Sequence, residues 1–279
     1  MARGRGVSTV VDVAVCLLLV GAAVATLAIA AAPSDDPGTV GAGATAATLA
    51  TSTAGIPSDG GRTAHDTYVG HLADAALVSA TVDERTGGTP HTEADTDADA
   101  RTETAYPSAV REEVEDSTDE RVFVTARWEP YPDAPLCGRV QAGDRPPETA
   151  DVATTTVSVA TGLESPETVD GFRPLAEAVS GAYVRWRLPP ARTRTAWIDD
   201  RTADEAERRY LATAEAVGLD RPALVTDVTV EDRRERLVDA LADRLEDDLR
   251  DRYPTPEAAI DDLTLEEVEI VVARWEPST

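Results

Sequence analysis

The residues best suited to chemistry are three histidines, two cysteines and 52 carboxylates, and their spacing favours no catalytic or metal site. His65 and His71 are six residues apart, which puts them on different faces of a helix rather than at the i, i+4 spacing of a zinc pair. The sequence has no phosphate-binding glycine loop, no nucleophile elbow and no lysine for Schiff-base chemistry. It therefore predicts a protein that is not an enzyme and has no metal, cofactor or small-molecule substrate.

The acidic segment 86–104 is the best candidate for a calcium loop, but its pattern does not match one. Its central run, T-E-A-D-T-D-A-D-A, lacks the glycine that a calcium loop places at its sixth position. The segment also has no apolar periodicity and contains Gly87, Gly88 and Pro90. We therefore expect a disordered, solvated loop.

The two cysteines lie in different parts of the chain. Cys16 lies within a long apolar stretch, whereas Cys137 lies far outside it, so an intramolecular disulfide is not expected. Two reduced thiols fit this placement, and so does a bridge between the Cys137 residues of two chains.

The charge of the chain excludes several classes of partner. The formal net charge is −26, and all 26 basic residues are arginine. Such a surface repels nucleic acid and anionic lipid, and without salt it also repels itself. At about 1 M salt the Debye length falls to about 3 Å, which screens that repulsion. This acidic, lysine-free composition resembles that of proteins from extremely halophilic archaea.

The apolar stretch 7–32 predicts where the protein is located. From Val13 to Ala32 no residue is charged, and twenty helical residues span about 30 Å, the thickness of the hydrocarbon core of a bilayer. Arg3 and Arg5 favour a cytoplasmic leader at residues 1–6. The sequence thus predicts a single-pass transmembrane helix in contact with membrane lipid, with the C-terminus extracellular.

The junction Arg5-Gly6-Val7-Ser8 resembles the class III signal of archaeal type IV pilins, in which a peptidase cuts before the apolar helix. The resemblance implies processing between Gly6 and Val7. Asp12 would then be the sixth residue of the mature chain, whereas bacterial pilins carry an acid at the fifth. It becomes a candidate intramembrane contact for the amine of a neighbouring subunit. Two alternatives remain open: a plain uncleaved anchor, and a secretory signal cut after Ala32.

The remaining chain predicts an acidic α+β ectodomain at 62–279, after an Ala/Gly/Thr-rich spacer at 33–61. A small β-sheet is expected to be packed by three or four helices. The predicted strands are 121–129, 138–142, 152–160 and 268–275, and the predicted helices are 62–82, 174–188, 202–217 and 230–252.

A short repeat links two of the predicted strands. Arg274-Trp275-Glu276-Pro277 copies Arg127-Trp128-Glu129-Pro130, which predicts that the strand at 268–275 pairs with the strand at 121–129. We expect Trp128 and Trp275 to stack on one face as a structural cross-strand pair, and a functional aromatic patch is the alternative. A leucine row at 237, 241, 245 and 249 favours core packing over a coiled coil.

The chain as a whole resembles uncharacterised haloarchaeal single-pass surface proteins encoded with pilus-type machinery. The resemblance implies a membrane-anchored cell-surface protein, either a pilin-like or a pilus-associated subunit without catalytic activity, whose partners are other pilin-like subunits. The alternative function is a surface binding or adhesion module on a plain uncleaved anchor.

Overall fold

The computed structural model describes residues 37–58, 62–82, 105–198, 203–219 and 229–276. These ranges contain eight helices and seven strands. The helices are α1 Pro37–Thr51, α2 Tyr68–Val78, α3 Ala105–Ser117, α4 Phe172–Arg187, α5 Pro190–Ile198, α6 Ala203–Ala216, α7 Val230–Arg252 and α8 Pro256–Asp261. The strands are β1 Thr53–Ser58, β2 Arg62–Thr67, β3 Thr81–Val82, β4 Val122–Trp128, β5 Leu136–Ala142, β6 Asp151–Ala160 and β7 Glu267–Glu276.

A five-stranded sheet with the order β3-β5-β4-β7-β6 forms the centre of the fold, and all its neighbouring strands are antiparallel. The predicted pairing of the last strand with the strand at 121–129 is confirmed, because Val124 is opposite Val272 and Ala126 is opposite Ile270. These four side chains are all buried. They stabilise the pairing across about 145 residues of chain by removing apolar surface from water.

The predicted contact between the two repeated tryptophans is wrong. Strands β4 and β7 run antiparallel, so equivalent positions of the repeat fall at opposite ends of the pair, and Trp275 lies opposite Val152 of β6 instead. Trp128 stacks on Tyr183 of α4 with ring centroids 5.5 Å apart, and its indole N–H donates to the carbonyl oxygen of Leu265.

One face of the sheet is covered by helices α1 and α2, with α3 packed against α2. The strands β4 and β5 alternate buried and less buried residues, as the period-2 pattern predicts. Gly138 allows the close approach of α2 to β5, because a Cβ there would lie 1.9 Å from the carbonyl oxygen of Ala76. The opposite face has no fully buried residue in β4 to β7 except Ala273.

Helices α4 and α7 pack against each other beside this layer. The prediction that the leucine row at 237, 241, 245 and 249 serves core packing is confirmed, since all four side chains are fully buried. Thr229 caps helix α7: its hydroxyl accepts a hydrogen bond from the backbone N–H of Asp232, and the Asp232 carboxylate accepts one from the backbone N–H of Thr229. Arg173 of α4 forms an ion pair with Asp243 of α7 across the interface.

The predicted fold class is wrong in its membrane helix and in its number of helices. No helix in the described ranges is both long and apolar enough to cross a membrane. Helix α1 is apolar but has 15 residues, or about 22 Å, and the 23 residues of α7 carry many charges. The segment 7–32, to which the sequence assigns the membrane helix, lies outside the described residues. The described chain is α+β with eight helices and a second, two-stranded sheet of β1 and β2.

Two local predictions also differ from the structure. Helix α1 lies in the predicted spacer at 33–61, where it covers β6 and β7. Its residues lack an amphipathic pattern because alanine, glycine and threonine differ little in hydropathy. The predicted helix at 62–82 begins only at Tyr68, because residues 62–67 pair with β1 and Thr67 caps the helix by accepting from the N–H of Gly70. The acidic segment 86–104 lies outside the described residues.

Candidate functional site

The candidate residues predicted from sequence are distributed between the described and undescribed parts of the chain. Gly6 and Val7 at the candidate processing site, and Asp12 as candidate intramembrane contact, lie outside the described residues. So does His91. Cys137 lies half-buried in β5, opposite Thr81 of β3.

His71, on helix α2, is the centre of the most developed polar cluster in the described ranges. Its side chain is fully buried. The Nε2 atom lies 3.1 Å from the carbonyl oxygen of Ala54 in β1, and the Nδ1 atom lies 2.8 Å from the hydroxyl of Tyr106 in α3. Both ring nitrogens are therefore engaged by protein groups.

The partners of His71 fix its tautomer. A carbonyl oxygen can only accept a hydrogen bond, so Nε2 carries the hydrogen and donates it to Ala54. In this tautomer the Nδ1 atom carries no hydrogen and accepts from the Tyr106 hydroxyl. Burial raises the pKa of Tyr106, and the nearby charges of Asp74 and Asp66 raise it further, so the phenol stays protonated and can donate.

Two carboxylates lie around this cluster. The pKa of Asp74 is raised by partial burial of its carboxyl group and then by the charge of Asp66, while His71 acts in the opposite direction. Asp66 also accepts a 2.7 Å hydrogen bond from the N–H of Thr67. This set has the residue types of a proton-transfer site. However, His71 has no exposed nitrogen to offer to a substrate, so the arrangement supports a structural link between β1, α2 and α3.

The loop after β4 holds a second charged cluster. The Glu129 carboxylate accepts a 2.7 Å hydrogen bond from the guanidinium of Arg127 and a 3.1 Å hydrogen bond from the backbone N–H of Asp133. The backbone of Asp133 has a positive φ of 55°. Burial raises the pKa of Glu129, and the charge of Arg127 opposes that shift. Each of these contacts closes the turn between β4 and β5, so this cluster also has a structural role. Within the described ranges, no group of three or more histidine, cysteine or acidic side chains has a geometry to hold a metal.

The side of the five-stranded sheet opposite helices α1 and α2 is the surface that sequence reasoning missed. We call it the open face. Its residues come from strands β4 to β7, and those of β4, β6 and β7 include Phe123, Val152, Thr154, Thr156, Val271 and Trp275. Val152 is 40 % exposed and is the one exposed large apolar side chain of the described residues. The Nε1 atom of Trp275 is buried and has no hydrogen-bond partner within the described ranges.

A sequence signal for the open face existed in the period-2 alternation of the strands. It identifies which residues share a face, but it does not say which of the two faces the helices cover. Which face is covered depends on helix α1, and the composition of its residues did not indicate a helix there. The aromatic patch considered for Trp128 and Trp275 does not join the two residues, because Trp128 lies on the covered face and the half-buried Trp275 lies on the open face.

Comparison with curated proteins and with solved structures finds no match in either group. A family model does match, over residues 11–275, which includes all but the last residue of the described ranges. The chain therefore belongs to DUF7284, a family of unknown function.

Proposed function

We propose that this chain is a non-catalytic protein of the cell surface, a pilin-like or pilus-associated subunit. It is attached to the cell membrane, and its folded part lies on the outer side. The observation that carries the proposal is Arg5-Gly6-Val7-Ser8 four residues before a run of twenty uncharged residues, 13–32. The composition supports it as well, since an acidic, lysine-free chain resembles proteins from halophilic archaea, in which pilins with such junctions occur.

The polar clusters of the folded part fit a non-catalytic role. His71 uses both ring nitrogens to join three elements, and Glu129 uses its carboxylate to close a turn. His71 is fully buried, so it has no exposed nitrogen to act as a general base or nucleophile.

A second candidate function is a surface binding or adhesion module on a plain uncleaved anchor. It is favoured by the open face, where the large apolar side chains of Phe123, Val152 and Trp275 lie close together. Such a local concentration is unusual in a chain with 4 % aromatic residues. Sheet faces of this kind bind partners through aromatic contacts.

The mature N-terminus separates these candidates and is read by mass spectrometry of the protein from native membranes. A first residue of Val7 supports the pilin-like subunit. Retention of Arg3 and Arg5 supports the binding module and contradicts pilin-type processing. A first residue of Pro33 contradicts attachment to the membrane in both forms. Replacing Gly6 by a bulky residue should block the cut before Val7. The matched control, Gly4→Leu, should leave that cut unchanged.

A further inference from the structure

Strand β6 forms one edge of the five-stranded sheet, and that edge is open. Its ten residues pair with β7 on one side. On the other side, no backbone hydrogen bond joins it to any residue within the described ranges. In an antiparallel strand every second residue directs its N–H and C=O away from the neighbour, so β6 presents a row of unused donors and acceptors.

Several of the usual protections of an edge strand are missing from β6. Proteins shorten such strands, interrupt them with proline or a bulge, or place charges along them. The other edge strand of this sheet, β3, has two residues and is protected by its shortness. Strand β6 has no proline, pairs with β7 in unbroken register from Asp151 to Ala160, and carries its single charge at its first residue.

The charge pattern favours a second copy of this chain as the occupant. The net charge of −26 makes any two copies repel each other, yet the nine residues 152–160 carry no charge. Each other strand of similar length in the sheet has charged residues, for example Arg127 in β4, Arg139 in β5 and Glu269 in β7. Like charges directly opposite each other destabilise a strand pair, so β6 is where two copies can meet without that cost.

The sequence of β6 is also compatible with pairing to itself. A two-fold axis at Thr155 places this residue opposite its own copy, and it places Thr154 opposite Thr156 of the second copy. Threonine pairs of this kind are favourable across antiparallel strands. Because the axis runs perpendicular to the sheet, the two open faces join into one surface and the two helix layers lie on the same side.

We propose that two copies of this chain associate by antiparallel pairing of their β6 strands around a two-fold axis at Thr155, which produces one continuous ten-stranded sheet. The proposal concerns the folded part and does not depend on how the N-terminus is processed.

Cross-linking of single-cysteine variants tests the pairing and its register. The full chain with Cys16→Ser and Cys137→Ser is the background, and Thr156→Cys is treated with a short bismaleimide in molar KCl and detergent. We expect covalent dimers, because the two copies of this residue lie close to the axis. Ala160→Cys should give none, since its copies are about 30 Å apart at 3.3 Å per residue. Thr63→Cys, an exposed strand residue of the hairpin, is the off-site control.

Charge variants provide an independent measurement of the same contact. Changing both Thr154 and Thr156 to Asp should weaken the dimer at least tenfold in sedimentation equilibrium, at the lowest salt that keeps the chain folded. Changing the same two positions to Arg should weaken the dimer to a similar extent. Mixing the Asp variant with the Arg variant should restore dimer formation. Thr63→Asp should leave the native mass unchanged. A native chain that stays monomeric at all concentrations, or equal cross-linking at Thr156, Ala160 and Thr63, would overturn the proposal.

Discussion

At the residue scale, the buried polar groups act as connectors between elements that lie far apart in the chain. His71 joins α2 to β1 through Ala54 and to α3 through Tyr106. A lone histidine among alanines and leucines gives no signal of this, because its partner is 35 residues away across the acidic segment. The sequence did not show what His71 contacts, and it placed His65 in the same helix, whereas this residue lies in β2.

The hydrogen bond between Tyr106 and His71 should contribute measurably to stability. Tyr106→Phe removes the donor and leaves the Nδ1 atom of His71 buried without a partner, so we expect a loss of about 1–3 kcal/mol in the free energy of unfolding. Denaturant titration measures this loss. Tyr68→Phe is the matched control: its hydroxyl makes a 3.4 Å bond to Glu113 at the surface, and the loss should stay below about 0.5 kcal/mol. Equal losses in both variants would contradict the proposed role of the buried pair.

Glu129 should make stability fall with rising pH. Its pKa is raised in the folded state, so between the unfolded and folded pKa values the folded chain binds more protons than the unfolded chain. Stability therefore decreases as the pH rises from the ordinary glutamate range, about 4.3, and levels off above the folded pKa. In Glu129→Gln this decrease should be smaller. Unfolding free energies from pH 4 to pH 7 in molar KCl measure the difference, with Glu120→Gln as the reference for removing one exposed charge. Parallel pH profiles of native chain and Glu129→Gln would refute this account.

At the element scale, sequence reasoning succeeded where the determining contacts are local. The alternation in β4 and the cap at Thr229 depend on residues close in sequence, and both were predictable. The relative direction of β4 and β7 depends on how the chain between them folds, so the contact predicted between Trp128 and Trp275 failed. Helix α1 was missed because its stability comes from covering the sheet rather than from an amphipathic pattern.

Two glycine substitutions should have opposite effects on the layer of helices above the sheet. Gly138→Ala puts a Cβ 1.9 Å from a backbone oxygen of α2, which forces the helix away from β5, and we expect a loss of about 3 kcal/mol. Gly43→Ala in α1 meets only an ordinary 3.8 Å contact with Thr155 and lowers the entropy of the unfolded chain. It should stabilise by about 0.5–1 kcal/mol. Thermal and denaturant unfolding measure both, and a shared sign would contradict this packing.

At the scale of the whole molecule, the balance of charge determines the conditions of folding. The described ion pairs, such as Arg173 with Asp243 and Arg250 with Glu246, neutralise some acids locally. The chain still has twice as many acidic as basic residues. Such a surface destabilises the compact state by self-repulsion unless salt screens it.

Lowering the salt concentration should therefore unfold the chain. Circular dichroism from molar KCl to 0.1 M follows the transition, as the Debye length rises from about 3 Å to about 10 Å. A sulfate series at matched ionic strength should shift the midpoint to lower concentration, because sulfate also strengthens apolar burial. Helix and strand signals that stay unchanged at 0.1 M would show that self-repulsion is too weak to unfold this protein.

The position of β7 between β4 and β6 has a consequence for synthesis of the protein. Strand β7 is the last described element to leave the ribosome, at about 5–20 residues per second, although it lies inside the sheet. Until then β4 and β6 face an empty place of one strand's width, and both expose unpaired backbone groups to other nascent chains. Translation that stops before Glu267 would leave this gap permanently, so such truncated products should aggregate or be degraded rather than accumulate as folded protein.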